Sequence, residues 1–294
     1  MTFVIQNAVD AVSLGSLFAL IALGIALIFG VMQLINFAHG ELILVGGYTM
    51  YLLSPGVPWE LIVVATVLAG GLFALLMERI AFRPVRGAEP ATLLVTSFAV
   101  SYLLQNLTIL LISPEPQAVS ISSSLLQPVS IGSVRVAKLD VITTITTFVL
   151  LAALAIFLKR TTMGTRMRAA AEDFGMARFL GVRANAVIAA AFGISGLLAG
   201  VVAVFWVGMT GNVSSTIGQA PFLAGVVGAV IGGMGSLGGA VIGGYLLGIL
   251  TVVLAVVLPE GLQASQDAFV FGGVLLILLL RPQGIIPGTA GARV

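Results

Sequence analysis

Long apolar stretches recur along this chain, and several approach the roughly 20 residues that an α-helix needs to cross a lipid bilayer. The first, from Ala8 to Phe29, carries polar side chains only at Asp10, Ser13 and Ser16. Charged residues make up 8% of the chain, whereas a soluble domain carries roughly a quarter. The sequence therefore predicts an all-α, polytopic integral membrane protein with a single transmembrane domain over residues 1–294.

The apolar stretches predict about nine transmembrane segments, or about eight if one of them is re-entrant. They cover approximately residues 8–29, 34–53, 60–80, 91–112, 139–158, 186–207, 221–231, 239–258 and 267–280. We expect breaks near Gly40 and in the GGMGSLGG cluster around Gly235, because glycine weakens a helix. Paired breaks of this kind mark the translocation site in transporters built from inverted repeats. Residues 113–138 are rich in Ser, Pro and Gln, which predicts an external loop with a short hairpin around Gly132.

Basic residues are concentrated in a polar stretch from residue 159 to 185, KRTTMGTRMRAAAEDFGMARFLGVRAN, which holds six of the 13 in the chain. By the positive-inside rule, a short loop this basic lies in the cytoplasm. Arg79, Arg83 and Arg86 predict a second cytoplasmic loop at 79–90, and no Lys or Arg precedes Arg79. Alternation from these loops predicts an outside N-terminus, without a cleaved signal peptide, and a cytoplasmic C-terminus.

The same polar stretch predicts a short amphipathic helix that docks on a cytoplasmic protein. Its apolar face contains residues at helical spacing: Met163, Met167, Ala170, Phe174 and Ala177. Arg168 and Glu172 lie four apart on the other face, where they can pair, and Gly175 and Gly181 are expected to stop the helix. A helix of about ten residues is marginal alone in water, so we expect it to lean on a partner or on the bilayer. A solvated surface turn is the alternative.

Polar side chains in the second and fourth apolar segments are candidates for a translocation pathway. Glu41 is the sharpest case, because an ionisable group inside a bilayer is costly and usually functional; simple solvation at the cytoplasmic boundary is the alternative. A regular helix places Glu41 opposite His39, so both can face one pathway with Asn36 only if Gly40 distorts the backbone. The fourth segment adds further candidates, with interhelical hydrogen bonding as the alternative for the last two: Ser97, Ser101, Gln105 and Asn106.

Enzymatic chemistry has little support in this sequence. Neither lysine lies in a phosphate-binding P-loop, so ATP hydrolysis by the chain itself is not expected. His39 is the only histidine, which leaves no convincing metal site and no base for Ser236 as a nucleophile. No cofactor is therefore expected, and the glycines around Ser236 are predicted to allow close helix packing: Gly232, Gly233, Gly235, Gly238 and Gly239.

Four stretches together resemble one known family. They are INFAHGELILVGGY (35–48), ERIAFRPVR (78–86), MGTRMRAAAEDFGMARFLGV (163–182) and GGMGSLGGAVIGGYLLG (232–248). Over nearly the whole chain, their order and spacing are similar to those of LivH-type permeases, which belong to ABC importers for branched-chain amino acids. The glycine cluster is shared with related sugar and nucleoside permeases.

This resemblance implies a bacterial inner-membrane importer. It would contain a second, LivM-like permease, a pair of cytoplasmic ATPase subunits that bind the ATP, a periplasmic substrate-binding protein and surrounding membrane lipid. No nucleic acid is expected as a partner. The resemblance also implies that the segment from Arg168 to Gly181 contacts an ATPase subunit. The coupling residues expected in it are Arg168, Ala171, Glu172, Asp173, Phe174, Gly175 and Gly181, and the amphipathic pattern makes Phe174 the apolar anchor.

Three other functions are alternatives to this one. Permeases for urea and short amides carry similar motifs, so urea or a short amide is the alternative cargo. A self-sufficient secondary transporter or channel needs coupling-ion ligands or a proton relay, and Glu41 is the best candidate for either. An intramembrane enzyme lacks a catalytic set. Retention of ATPase subunits on purification separates the importer permease from the last two.

The predicted topology is testable because the chain contains no cysteine. Single cysteines introduced at Gly87 and Gly164 should resist a membrane-impermeant thiol reagent in intact cells, since both positions are predicted to face the cytoplasm. Labelling of both positions from outside would refute the orientation.

Overall fold

The computed structural model describes residues 2–119, 127–131 and 134–286, and most of them lie in helices. In chain order the α-helices are α1 (Thr2–Met32), α2 (Gly40–Leu53), α3 (Trp59–Met77), α4 (Pro90–Leu111), α5 (Lys138–Arg160), α6 (Thr162–Glu172), α7 (Phe174–Phe179), α8 (Ala184–Thr210), α9 (Gln219–Gly232), α10 (Leu237–Val257) and α11 (Gln266–Leu280). A π-helical stretch, Glu78–Phe82, extends α3, and 3-10 turns lie at Phe37–His39 and Glu260–Ser265.

Six of the described helices are long and apolar enough to cross a membrane: α1, α3 with its extension, α4, α5, α8 and α10. Two shorter apolar helices, α9 and α11, accompany them. This pattern confirms the predicted all-α, multi-pass membrane protein, in which some helices are short or broken. Helix length decides which helices can cross the membrane, since a helix rises only about 1.5 Å per residue and the hydrocarbon core is about 30 Å thick.

Both expected glycine breaks are present, with local differences from the prediction. The second segment does not begin as a helix near Leu34; instead the 3-10 turn Phe37–His39 leads into α2 at Gly40. Between α9 and α10 the chain leaves the helical path after Gly232, because Gly233 and Gly235 adopt φ angles of +110° and +88°. Such left-handed angles are accessible to glycine at little cost, so the cluster forms a turn.

Short strands occur only in connections between helices in the described part of the chain. Strand β1 (Gln117–Ala118) pairs with β4 (Asn212–Val213), and β2 (Pro128–Ile131) pairs with β3 (Val134–Ala137), both antiparallel. The second pair corresponds to the predicted hairpin, although Gly132 and its neighbour at 133 lie outside the described residues.

The chain forms two compact units, each assembled from distant parts of the sequence. The first contains residues 1–26, 123–153 and 224–294, and the second contains 27–122 and 154–223. The expected single permease domain therefore stays a prediction.

Small residues hold the helices of the first unit together. Gly225 faces Ile21, Gly228 faces the backbone of Gly244, and a cluster of alanines from α1, α9 and α10 is buried. Because lipid tails are as apolar as leucine, membrane helices associate through close packing rather than through hydrophobic transfer.

The second unit places α2, α3 and α8 against one another. An added Cβ on Gly200 of α8 would lie 2.8 Å from the Cα of Val67 on α3, so the two helices are in backbone contact. Larger side chains fill the other end of this unit, where Leu44, Tyr48 and Val207 are buried together with Val213 of β4. These packed helices form the frame on which the connecting segments are positioned.

A charged contact joins the end of α3 to the start of α8. Glu78 and Arg86 form an ion pair with side chains 6% and 15% exposed, and Nη1 of Arg86 donates a hydrogen bond to Oδ1 of Asn185 at 2.6 Å. Burial lowers the pKa of Arg86, but arginine starts from so high a value that it stays protonated at neutral pH. Through its hydrogen bond to Asn185, Arg86 therefore connects the predicted cytoplasmic loop to α8.

The first turn of α6 is closely packed against the end of α5. Oγ1 of Thr161 accepts a hydrogen bond from the backbone N–H of Gly164 at 3.0 Å, which caps the helix. Gly164 is buried against the backbone of Phe157 and Leu158, so a cysteine there would disturb the structure. The exposed neighbour Thr165 is the better position for the label.

The buried ion pair predicts a coupled effect on stability. Arg86→Met should lower the free energy of unfolding by about 3 kcal/mol, at the low end for breaking a buried pair, because it leaves the Glu78 carboxylate uncompensated. Adding Glu78→Gln should recover part of this loss. Denaturant unfolding of the purified protein in detergent measures both effects, with Arg83→Met as an exposed control; equal losses for Arg83→Met and Arg86→Met would contradict the prediction.

The glycine cluster predicts a difference between two neighbouring positions. An added Cβ at Gly232 would overlap the carbonyl of Gly239, whereas a Cβ at Gly238 meets nothing within 4 Å. Gly232→Ala should therefore destabilise the protein by about 1–3 kcal/mol, while Gly238→Ala should leave its stability unchanged or slightly raised.

Thermal unfolding of the two alanine variants in detergent makes the comparison, and similar melting temperatures would rule out the close contact at Gly232. Close packing at Gly235 stays a prediction, and its backbone adds a separate constraint. Its φ of +88° makes Gly235→Leu costly through backbone strain, by about 1–2 kcal/mol.

Candidate functional site

The turn before α2 is the starting point of the candidate site. Oδ1 of Asn36 accepts a hydrogen bond from the backbone N–H of Ala38 at 3.0 Å, which caps the 3-10 turn. At Gly40 the chain approaches Gly218, just before α9, and an added Cβ on Gly40 would lie 2.8 Å from the Gly218 carbonyl oxygen. Glycine at both positions therefore allows the starts of α2 and α9 to touch.

Glu41 follows in the first turn of α2, where the helix dipole favours a carboxylate. The residue is 2% exposed, and its Oε1 accepts hydrogen bonds from Oγ of Ser101 and Nε2 of Gln105, both at 2.7 Å. Nε2 of Gln105 also donates to Oγ of Ser101 at 3.0 Å, and Oε1 of Gln105 accepts from Nε2 of Gln219 at 3.2 Å. Three segments of the second unit thus meet in one polar network.

This network forms part of the wall of a cavity of about 340 Å³, a size within the range of small-molecule sites. The lining residues are Phe37, Gly40, Glu41, Phe98, Ser101, Tyr102, Gln105, Gln219, Phe222 and Leu223. Glu41 is the only one of these ten with a charged side chain.

Aromatic rings form another part of the wall. Phe37 stacks on Phe98 with ring centroids 4.1 Å apart, and Phe222 tilts against Phe37 at 5.6 Å. The cavity therefore combines one carboxylate and several neutral donors with an apolar surface. Such a cavity suits a small molecule that has one polar end and one aliphatic end.

Four of the predicted pathway residues line this cavity: Gly40, Glu41, Ser101 and Gln105. The other four do not line it. Asn36 and His39 are buried at 3% and 1% exposure, and His39 Nδ1 lies 3.4 Å from Oγ of Ser195 on α8. The 3-10 turn directs His39 and Glu41 to different neighbours, as a regular helix would also do.

Ser97 and Asn106 return their hydrogen bonds to the backbone of their own helix. Ser97 donates to the carbonyl of Leu94 at 2.7 Å, and Asn106 donates to the carbonyl of Tyr102 at 2.8 Å. Neither contact is interhelical. The hydrogen bond of Asn106 therefore differs from the interhelical one that was its alternative role. For Gln105, by contrast, hydrogen bonds across helices are present.

The aromatic residues of the cavity were missed in the sequence, although a signal was available. Phe98, Ser101, Tyr102 and Gln105 have the spacing of one helical face, so the polar pair predicts its aromatic neighbours. Phe222 and Leu223 have no such signal, because their position depends on the contact between Gly40 and Gly218.

The predicted docking segment consists of two helices rather than one. Helix α6 ends at Glu172, and Oδ1 of Asp173 accepts from the backbone N–H of Met176 at 2.9 Å, which caps α7. Gly175 therefore lies inside α7 and does not stop a helix, contrary to expectation. Gly181, with a φ of +85°, does lie just after α7, as predicted.

Exposed apolar side chains on this segment also differ from the prediction. Phe174 is half-buried, whereas Phe179 and Leu180 are 90% and 79% exposed. Arg168 and Glu172 are exposed but form no ion pair with each other. The break at Asp173 interrupts the predicted single helix, and the most exposed apolar side chains of the segment lie after it; the role of Phe174 as an anchor stays a prediction.

Comparison with known proteins decides the family. The family model described as "Branched-chain amino acid transport system / permease component" matches residues 7–279. The chain belongs to this family. The match extends over both compact units, and it confirms the resemblance noted on the motifs.

Individual relatives agree with the family match. The chain is 32% identical over 298 residues to the high-affinity branched-chain amino acid transport system permease protein BraD of Pseudomonas aeruginosa, covering 96% of this chain and 95% of that one. It is 31% identical to LivH of Escherichia coli, covering 97% and 96%. The autoinducer 2 import system permease protein LsrC of Photorhabdus luminescens is 29% identical over 45% of this chain and 41% of its own. No solved structure matches the chain significantly.

Proposed function

We propose that this chain is the membrane permease subunit of an ABC importer that takes up branched-chain amino acids. The observation that carries the proposal is the 31–32% identity, over at least 96% of the chain, to BraD and LivH, whose names specify that cargo. A permease of this kind catalyses no reaction itself. ATP is bound and hydrolysed by separate subunits, and the chain holds no cofactor of its own.

The cavity beside Glu41 is the proposed point of cargo contact in the second unit. Gly40, Glu41, Ser101 and Gln105 supply the backbone contact and polar groups, while Phe37, Phe98 and Phe222 supply an aromatic surface. A branched aliphatic side chain suits such a surface, because burying its methyl and methylene groups is favourable. Asn36, His39, Ser97 and Asn106 support the helices around the pathway rather than line this cavity.

The segment of α6 and α7 is the proposed docking surface for an ATPase subunit. Exposed Arg168 and Glu172 would set its orientation, and the exposed pair Phe179 and Leu180 supplies an apolar contact. An apolar pair exposed in a basic, polar segment is best explained by a protein surface that covers it. Since α5 and α8 flank this segment directly, its movement would pass into two membrane-spanning helices.

The complete importer is proposed to contain a LivM-like second permease, paired ATPase subunits and a periplasmic binding protein, in a bacterial inner membrane. The docking segment and the loop at 79–90 then face the cytoplasm, with the N-terminus outside and the C-terminus inside. Large apolar side chains exposed along α4, such as Leu103 and Leu110, would face lipid or the second permease.

Reconstitution tests this function directly. Proteoliposomes that contain the chain, its second permease and its ATPase subunits should take up leucine, isoleucine or valine only with ATP and the binding protein present. Uptake of urea or short amides in preference to leucine would replace the proposed cargo. Uptake by the chain alone, without ATPase subunits, would refute the importer and favour a self-sufficient transporter.

The docking surface predicts a loss of ATPase binding in one double variant. Phe179→Ala with Leu180→Ala should weaken retention of the ATPase subunits at least about thirtyfold, because truncating an apolar anchor at an interface costs about 2 kcal/mol or more. Membrane insertion should remain normal. Phe174→Ala, Arg168→Ala and Glu172→Ala should each have smaller effects, since charged contacts at an exposed rim contribute little.

Co-purification of the ATPase subunits, followed by ATPase and uptake assays, measures this loss. Leu262→Ala is the matched control, because Leu262 is also exposed, at 44%, but lies in the turn before α11. Full retention in the double variant would show that the segment is only a solvated surface.

A further inference from the structure

Glu41 has one carboxylate oxygen that the protein leaves without a partner. Its Oε1 receives hydrogen bonds from Ser101 and Gln105, whereas its Oε2 is buried and has no hydrogen-bond partner within the described part of the chain. Buried polar groups in proteins are almost always paired, so an unpaired one calls for an explanation, such as a water molecule, an ion or a ligand that binds to it. Here the unpaired atom belongs to a side chain that lines the cavity.

The chemistry of a suitable ligand follows from this arrangement. A carboxylate oxygen accepts hydrogen bonds, and the strongest donors for it are charged groups. An ammonium group that leaves water must find such an acceptor, because a charge inside the membrane is costly without a partner. The faces of the nearby aromatic rings also attract a cation.

We propose that Oε2 of Glu41, which is buried in this structure, turns toward the cavity and accepts a hydrogen bond from the ammonium group of the transported amino acid, so that the permease itself recognises this end of its cargo. This inference rests on the proposed function and assigns a chemical role within it. Phe37 and Phe98 contact the aliphatic side chain of the cargo. Ser101 and Gln105 are positioning residues, because they hold the carboxylate through Oε1 and leave Oε2 for the ligand.

The carboxylate end of the cargo is not recognised at this cavity. None of the ten lining residues is Lys or Arg, and the negative charge of Glu41 repels a second carboxylate. The cargo carboxylate therefore points away from Glu41. Recognition at the permease is thus one-sided: it requires the ammonium group and tolerates changes at the carboxylate.

Three ligands of similar shape test this one-sided recognition: leucine, leucinamide and 4-methylpentanoate. The second keeps the ammonium group without the carboxylate, and the third keeps the carboxylate without the ammonium group. Saturation-transfer NMR on the full chain in nanodiscs detects weak binding at millimolar concentrations. Leucine and leucinamide should give signals, and 4-methylpentanoate should not. Equal signals from all three, or none from leucine, would overturn the proposal.

Glu41→Gln is the decisive variant, because it keeps an Oε1 acceptor for Ser101 and Gln105 but places an amide donor where Oε2 was. Leucine binding should weaken at least about tenfold, as expected for removing one partner of a buried charged hydrogen bond. Leucine uptake by the reconstituted importer should fall to a similar extent. Glu60→Gln is the control, since Glu60 is an exposed carboxylate in the first turn of α3.

The outcomes separate this inference from the proposed function. If the unaltered importer takes up leucine and Glu41→Gln does so equally well, the inference fails while the importer function stands. If the unaltered importer fails to take up leucine, the proposed function fails first. If Glu41→Gln reduces uptake but leucine binding is unchanged, the carboxylate serves the helix contacts and the inference is wrong.

Discussion

The hydrocarbon core of a bilayer offers no water for hydrogen bonding, so polar groups inside it must find partners within the protein. Most polar side chains in the described helices do this locally: Thr49 donates to the carbonyl of Val45 and Thr143 to that of Leu139, each at 2.7 Å. The network around Glu41 is different, because it joins α2, α4 and the start of α9. This network between helices lies at the wall of the cavity.

Close contact between helices also follows from the lipid surroundings. Since lipid tails compete equally with apolar side chains, helices gain most from backbones that approach each other, as between Gly200 and Val67. Both compact units use this principle, one through α1, α9 and α10 and the other through α2, α3 and α8. The charged pair Glu78–Arg86 lies at the predicted cytoplasmic end of the second unit, where Arg86 also donates a hydrogen bond to Asn185.

Hydropathy alone predicted the multi-pass helical fold, because helix length and apolar content are direct consequences of the bilayer. Hydropathy does not predict the places where a single side chain ends one helix and begins another. Asp173 caps α7 and so moves the exposed apolar surface from Phe174 to Phe179, which no helical wheel drawn through the segment anticipates. Glu41, Ser101 and Gln105 were identified as polar residues in an apolar context, whereas Phe222 depends on tertiary contact and leaves no pattern in the sequence.

The contact between Gly40 and Gly218 has a consequence for how such a protein changes over generations. In most packed sites, a substitution that adds volume can be rescued by a second one that removes volume from the neighbour. At this contact both residues are already glycine, so neither has an atom to give up. The sequence of the cavity can therefore diverge at its aromatic and amide side chains, whereas Gly40 and Gly218 must stay glycine.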